Sequence, residues 1–179
     1  LWDLYAQAAT QARLPGTDEI AAAQARTGWQ SLRLDSASIE MRPGMALTLN
    51  GIAQGFIADR VAALLRAQGV ENVLIDCGEI VALGDQDGTA GWPVTIRDGK
   101  ELALRDRALA TSAPLGTVLD AAGSIGHIFD PASGRPAGGT WRQISVSARS
   151  AAVADALSTA ACLMPDRTAI EVACQAAGD

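Results

Sequence analysis

The chain has 179 residues, enough for one ordinary domain with a real core, and a second complete domain is not expected. Its net charge of −6 and pI near 4.7, with no basic stripe, argue against a surface built for nucleic-acid backbones. No apolar run approaches the roughly 20 residues of a spanning helix, and "LWDLYAQAATQAR" lacks the basic head and cleavage site of a leader, so the chain reads as soluble.

In chain order, "LWDLYAQAATQAR" has helical spacing, and Thr17 is placed to cap a second short helix through "DEIAAAQARTG", with Gly28 beyond its end. Three short alternating segments come next, "SLRLD", "SIEMR" and "MALTLN", separated by turn formers such as Pro43-Gly44, and each reads as a strand. The clearest helix is "GIAQGFIADRVAALLRAQG", residues 51–69, with Ile57, Val61, Leu64 and Leu65 on its apolar face and Gly69 as its stop. "NVLIDCG" and "IVALG" read as strands, "WPVTIRDGKELAL" as a hairpin turning at Asp98-Gly99, and "ALATS", "GHIFD" and "RQISVSA" as further strands. A helix from Ser150 to about Met164, a break at Pro165-Asp166 and a last helix in "RTAIEVACQAAG" complete the chain. Strands in the middle with helices outside, and no regular strand–helix alternation, indicate an α+β fold with a mainly antiparallel sheet flanked by helices.

Three cysteines, Cys77, Cys162 and Cys174, follow no metal-ligand spacing and read as small buried hydrophobes. The one histidine, His127, excludes a multi-histidine metal site.

Three stretches could carry chemistry. "TLNGIAQG", residues 48–55, runs from a strand into a helix through Gly51 and Gly55; a helix N-terminus free of bulky side chains can cradle a phosphate, and it can equally be a tight joint. "GHIFDPASGRP", residues 126–136, has the composition of a turn, with Asp130 as its cap, and leaves His127 either as a core or edge residue or as a functional one. "VADALSTAA" sets Asp155, Ser158 and Thr159 on one helix face within a single turn. An all-oxygen cluster of this kind suits a hard cation such as Mg²⁺; equally, Asp155 could pair with Arg149 or Arg60 while the hydroxyls bond back to their own helix.

Taken together, these stretches resemble the ApbE-type FAD:protein FMN transferases, which cut FAD and attach FMN to a Thr or Ser of a partner protein. Members carry a segment like "DLGGIAKGYAVD", to which "TLNGIAQGFIAD" is similar, and then a strand with a Gly-acid pair, here "VLIDCGEI". "ATSA" at 110–113 resembles their "ATSG", "HIFDPASGRP" at 127–136 their "HIIDPxTGRP", and "SAAVADALST" at 150–159 their "SAxxADAxxT". The five motifs keep the family's order across residues 46–164.

The resemblance implies Mg²⁺, with FAD as substrate and FMN donor. It implies Asp155, Thr159 and Ser158 as side-chain ligands of the metal and the carbonyl of Gly51 as a backbone ligand. Thr48, Gln54 and Phe129, the last through its backbone, fall where the family contacts FAD, and His127 and Asp130 hold the turn that shapes the flavin pocket. Thr48 stands where Asp is usual, Gln54 where Lys or Glu is usual, and Ser158 where some members have a further Asp, which makes this version of the site less charged. No catalytic nucleophile within the chain is implied, because the attacking hydroxyl belongs to the acceptor protein, for which a subunit of a membrane redox complex is one candidate. FAD hydrolysis to FMN and AMP, or flavin or partner binding without turnover, are the alternative activities. The periplasm or cell envelope is the implied compartment. The start "LWDLY" resembles the residues directly after a "FDPT" segment in members, so residues 1–179 are expected to be a single ApbE-like domain incomplete at its N-terminus, covering roughly two thirds of a member.

Overall fold

A computed structural model describes residues 1–97 and 99–178. The helices are α1 (Trp2–Thr10), α2 (Thr17–Gln24), α3 (Ala53–Ala67), α4 (Ala151–Ala161) and α5 (Arg167–Ala176). The strands are β1 (Arg33–Leu34), β2 (Ile39–Glu40), β3 (Val73–Asp76), β4 (Ile80–Leu83), β5 (Trp92–Thr95), β6 (Glu101–Leu104), β7 (Arg107–Ser112), β8 (Phe129–Asp130), β9 (Arg135–Pro136) and β10 (Ile144–Ala148). Every strand pair is antiparallel, as the sequence pattern predicts. The chain divides into two compact units, Leu1–Thr48 with Pro114–Arg142, and Leu49–Ala113 with Gln143–Asp179.

In the first unit, Tyr5 of α1, Ile20 of α2 and Ile125 form a small core with Leu4, Leu119 and Phe129 around it. α2 is capped by Gly16 rather than Thr17: the Glu19 carboxylate accepts the Gly16 N–H at 2.7 Å, so the cap residue contributes its backbone and the acid three positions on supplies the oxygen. β1 and β2 form an exposed two-residue ribbon, and β8 pairs with β9 around the turn at Pro131–Gly134. The expected strand over 45–50 does not form. Leu47 and Leu49 are exposed, so the alternation there has no apolar surface to face.

The second unit has three layers. Its sheet has the order β10-β7-β4-β3, and the alternation of each strand sorts apolar residues to two faces. Ile75, Val81, Leu83 and Ala108 face Ala58 and Ala62 of α3 and Ala151 of α4. Ala82 and Leu109 face Val94 and Leu104 of the β5–β6 ribbon, with Leu74, Ile80 and Trp92 alongside. The ribbon is the expected hairpin, although Asp98 of its turn lies outside the described residues.

The buried face of α3 differs from the expected one. Ile57 and Leu64 are exposed, while Gly55, Ala58 and Ala62 are buried, with Val61 and Leu65 beside them. Close approach of α4 is the reason: a Cβ on Gly55 would strike the carbonyl of Ala151 and lie 2.8 Å from the Cα of Ala152, so the interface admits only small side chains. Cys77 also departs from expectation. It is exposed, because it sits in the tight β3–β4 turn, where its N–H donates to the Glu79 carbonyl.

The start of α4 is held from α3. The Asp59 carboxylate accepts the backbone N–H groups of Ala151 (2.8 Å) and Ala152 (3.0 Å) and the Ser150 hydroxyl (2.7 Å), and the Ser150 oxygen in turn accepts the Val153 N–H. A carboxylate at a helix N-terminus meets both its free N–H groups and its positive dipole end. Asp59→Ala should therefore lower unfolding free energy by about 1–3 kcal/mol, read as a shift of the urea midpoint, with Asp59→Asn falling between the variant and the parent.

Candidate active site

α4 carries Asp155 and Ser158 buried against the sheet. Asp155 is only 4% exposed, and its carboxylate accepts the Gly55 N–H, at the start of α3, at 3.0 Å. Burial pushes its pKa up, and this one hydrogen bond opposes the shift. Among the described residues, no arginine forms an ion pair with it, so the Arg149 or Arg60 partnership open to the sequence is not the arrangement found.

A second acid lies near it. Glu79, the residue before β4, is 7% exposed, and its pKa is pushed up to about 7 by burial, by the negative charge of Asp155 and to a lesser degree by that of Asp76, against the opposing Thr111 N–H. Its role is not legible in the sequence, although the Gly-acid pair of "VLIDCGEI" marks its position: it is an acid in a turn, and only the packing of β4 against β7 and α3 takes it out of water. The metal-free protein should become less stable as pH rises from about 4.5 to about 7, because the folded chain there holds a proton that the unfolded chain has released. Glu79→Gln keeps an oxygen for the Thr111 N–H and removes that slope. By chemical denaturation in EDTA at pH 8 it should be more stable than the parent by about 1–3 kcal/mol, whereas parallel pH profiles would count against the burial argument.

Around these acids are neutral oxygens. The Thr159 side chain lies against Gly51, where a Cβ would stand 3.2 Å from its Cγ2 and 3.4 Å from its Oγ1. The Ser112 hydroxyl at the end of β7 is 2.7 Å from the Ser158 Oγ and 3.0 Å from the Thr159 Oγ1. Ser158 is wholly enclosed and donates to the Asp155 carbonyl at 3.0 Å. Gln54 is exposed, its amide against the backbone of Gly78, whose φ of +99° favours glycine. The structure thus brings Gly51, Gln54, Asp155, Ser158 and Thr159 into one unit and adds Gly55, Glu79 and Ser112 to them.

No group of three His, Cys, Asp or Glu side chains suited to a metal occurs among the described residues. A cation here would rest on one or two carboxylates with hydroxyl and carbonyl oxygens, the donor set of Mg²⁺ rather than of zinc. Two buried acids with no pairing cation among the described residues fit such an ion electrostatically, since a positive charge would relieve both burial and mutual repulsion.

The other expected flavin contacts belong to the first unit. Thr48 is exposed at its edge and outside any strand. His127 donates its Nδ1–H to the Thr117 carbonyl at 3.1 Å. Asp130 accepts the N–H groups of Ala132 and Ser133 at 2.9 and 3.1 Å, and the Ser133 hydroxyl, followed by the Ala132 N–H, holds its carboxyl below the usual range. The Phe129 ring packs on Tyr5 with centroids 4.8 Å apart, so its side chain belongs to the core.

The sequence matches the ApbE family over residues 1–178. The chain belongs to the ApbE family. A FAD:protein FMN transferase of Treponema pallidum is 36% identical over 65% of this chain and 37% of its own length. One from Vibrio cholerae is 29% identical over 89% of this chain and 51% of its own. In three dimensions the ApbE protein of Thermotoga maritima superposes with a TM-score of 0.79 at 27% identity, covering 89% of this chain and 56% of that one. The flavin transferase ApbE of Vibrio cholerae gives 0.74 at 29%, covering 90% and 55%. The chain therefore spans about half the length of the ApbE proteins it matches over most of its own length.

Proposed function

We propose that the protein to which this chain belongs transfers FMN from FAD to a Thr or Ser hydroxyl of a partner protein, with Mg²⁺ and release of AMP. The observation that carries the reading is the pair of buried acids, Asp155 and Glu79, beside the Thr159 hydroxyl and the Gly51 backbone in an ApbE chain. In the reaction the acceptor oxygen bonds to the FMN phosphorus, the bond from that phosphorus to the AMP oxygen breaks, and the hydroxyl proton is lost to a base or to water. Bound Mg²⁺ would neutralise charge developing on the diphosphate.

The chain's own part is positional. Asp155, Thr159 and the Gly51 carbonyl are the proposed cation donors. The Gly55 N–H holds the Asp155 carboxylate in place, and Glu79 adds negative potential behind it. Thr48, Gln54, His127, Phe129 and Asp130 are the proposed flavin contacts, on the strength of the motif resemblance. The same resemblance supports a periplasmic or cell-envelope setting and an acceptor in a membrane redox complex; no helix of the described residues is long and apolar enough to cross a membrane.

The test is incubation of the complete protein with FAD, Mg²⁺ and a peptide bearing an acceptor Thr, followed by mass analysis of peptide and nucleotides. Covalent FMN on the peptide with an equal amount of AMP is expected, and EDTA should suppress both. FMN and AMP without a peptide adduct would make the protein an FAD diphosphatase, and intact FAD would make it a binding module.

A further inference from the structure

The hydroxyls of Ser112, Ser158 and Thr159 form a chain whose proton order can be deduced from one fixed end. The Asp155 carbonyl can only accept, so the single hydroxyl proton of Ser158 goes to it, at 3.0 Å. The 2.7 Å contact between Ser158 and Ser112 must then be Ser112 donating. With its own proton spent, Ser112 can only accept from Thr159 across their 3.0 Å contact. The Thr159 proton therefore points at Ser112, and the Thr159 lone pairs point elsewhere. A hydroxyl that binds a cation must meet it with a lone pair and send its proton away.

We propose that Ser112 is a positioning residue for cation binding. Its oxygen takes the Thr159 proton and so presents the Thr159 lone pairs to the metal, while Ser158, wholly enclosed, anchors the far end of the relay instead of touching the ion. This rests on the reading of Asp155 and Thr159 as cation donors, and it assigns a task to the "ATSA" segment, which the sequence marks without explaining. Ser112 acts only through Thr159. Its effect must therefore vanish once the Thr159 hydroxyl is gone.

The experiment is Mn²⁺ binding to the full chain, without FAD, by calorimetry and by the spin resonance of free Mn²⁺. Ser112→Ala should weaken binding about 10-fold. Ser112→Thr, which restores a hydroxyl, should return to within about 3-fold of the parent. Ser112→Cys keeps the shape with a poor acceptor and should behave like Ser112→Ala, which covers the case that the alanine variant does not fold. Adding Ser112→Ala to Thr159→Val should change nothing further. Parent-like binding by folded Ser112→Ala or Ser112→Cys, or additive losses with Thr159→Val, would overturn the proposal while leaving the cation site standing, provided that Asp155→Asn abolishes binding. Absence of Mn²⁺ binding to the parent would overturn the cation site and this proposal together.

Discussion

Asp155→Asn should abolish the proposed flavin transfer by the complete protein while leaving the fold at least as stable as before. The asparagine carbonyl can still accept the Gly55 N–H that now bonds to the carboxylate, so no backbone group loses its partner. What disappears is a negative charge that burial disfavours and that raises the proton affinity of Glu79 as well. Turnover should fall at least about 100-fold, because a neutral amide cannot offset the cation that compensates the diphosphate charge. The two readouts move in opposite directions, which is the mark of a group kept for chemistry at the expense of stability. A variant that unfolds more easily yet still flavinylates its acceptor would show instead that Asp155 serves the α3–α4 joint.

The second large effect is structural. Gly55→Ala should destabilise the protein by about 3 kcal/mol or more, because the new methyl would overlap main-chain atoms of Ala151 and Ala152, which cannot turn aside as a side chain does. Gly69→Ala is the comparison. Gly69 has φ +83° at the end of α3, but a methyl group added there would meet nothing within 4 Å, so only backbone strain of about 1 kcal/mol opposes it. Urea midpoints of the two variants should differ accordingly; equal shifts would mean that helix packing at Gly55 has slack. Because the Gly55 N–H also holds Asp155, any folded Gly55→Ala protein should bind Mn²⁺ more weakly.

Much of the architecture is legible along the chain because it rests on local periodicity. α3, α4 and α5, the β3–β4 hairpin and the β5–β6 ribbon all lie where spacing and turn residues place them. The segment at 45–50 misleads because alternation indicates only that one face could be buried, and Leu47 and Leu49 find nothing to bury against. The face of α3 misleads for a different reason. Hydrophobicity favours Ile57 and Leu64, but the approach of α4 selects for small size at Gly55, Ala58 and Ala62.

The same division runs through the site. Asp155, Ser158 and Thr159 are neighbours by helical spacing alone, and the order of the five motifs is enough to join this chain to the ApbE family, because both properties are written in consecutive or regularly spaced residues. Nothing in that spacing shows that Glu79 is buried beside Asp155, that Asp59 caps α4 from 92 positions away at Ala151, or that Ser112 sits between Ser158 and Thr159. Those relations come from folding distant strands and helices onto one another. Burial then turns ordinary turn and surface residue types into a strained acid, a helix cap and a hydroxyl relay, since the dielectric around a group and the partner for its proton are properties of its surroundings in space.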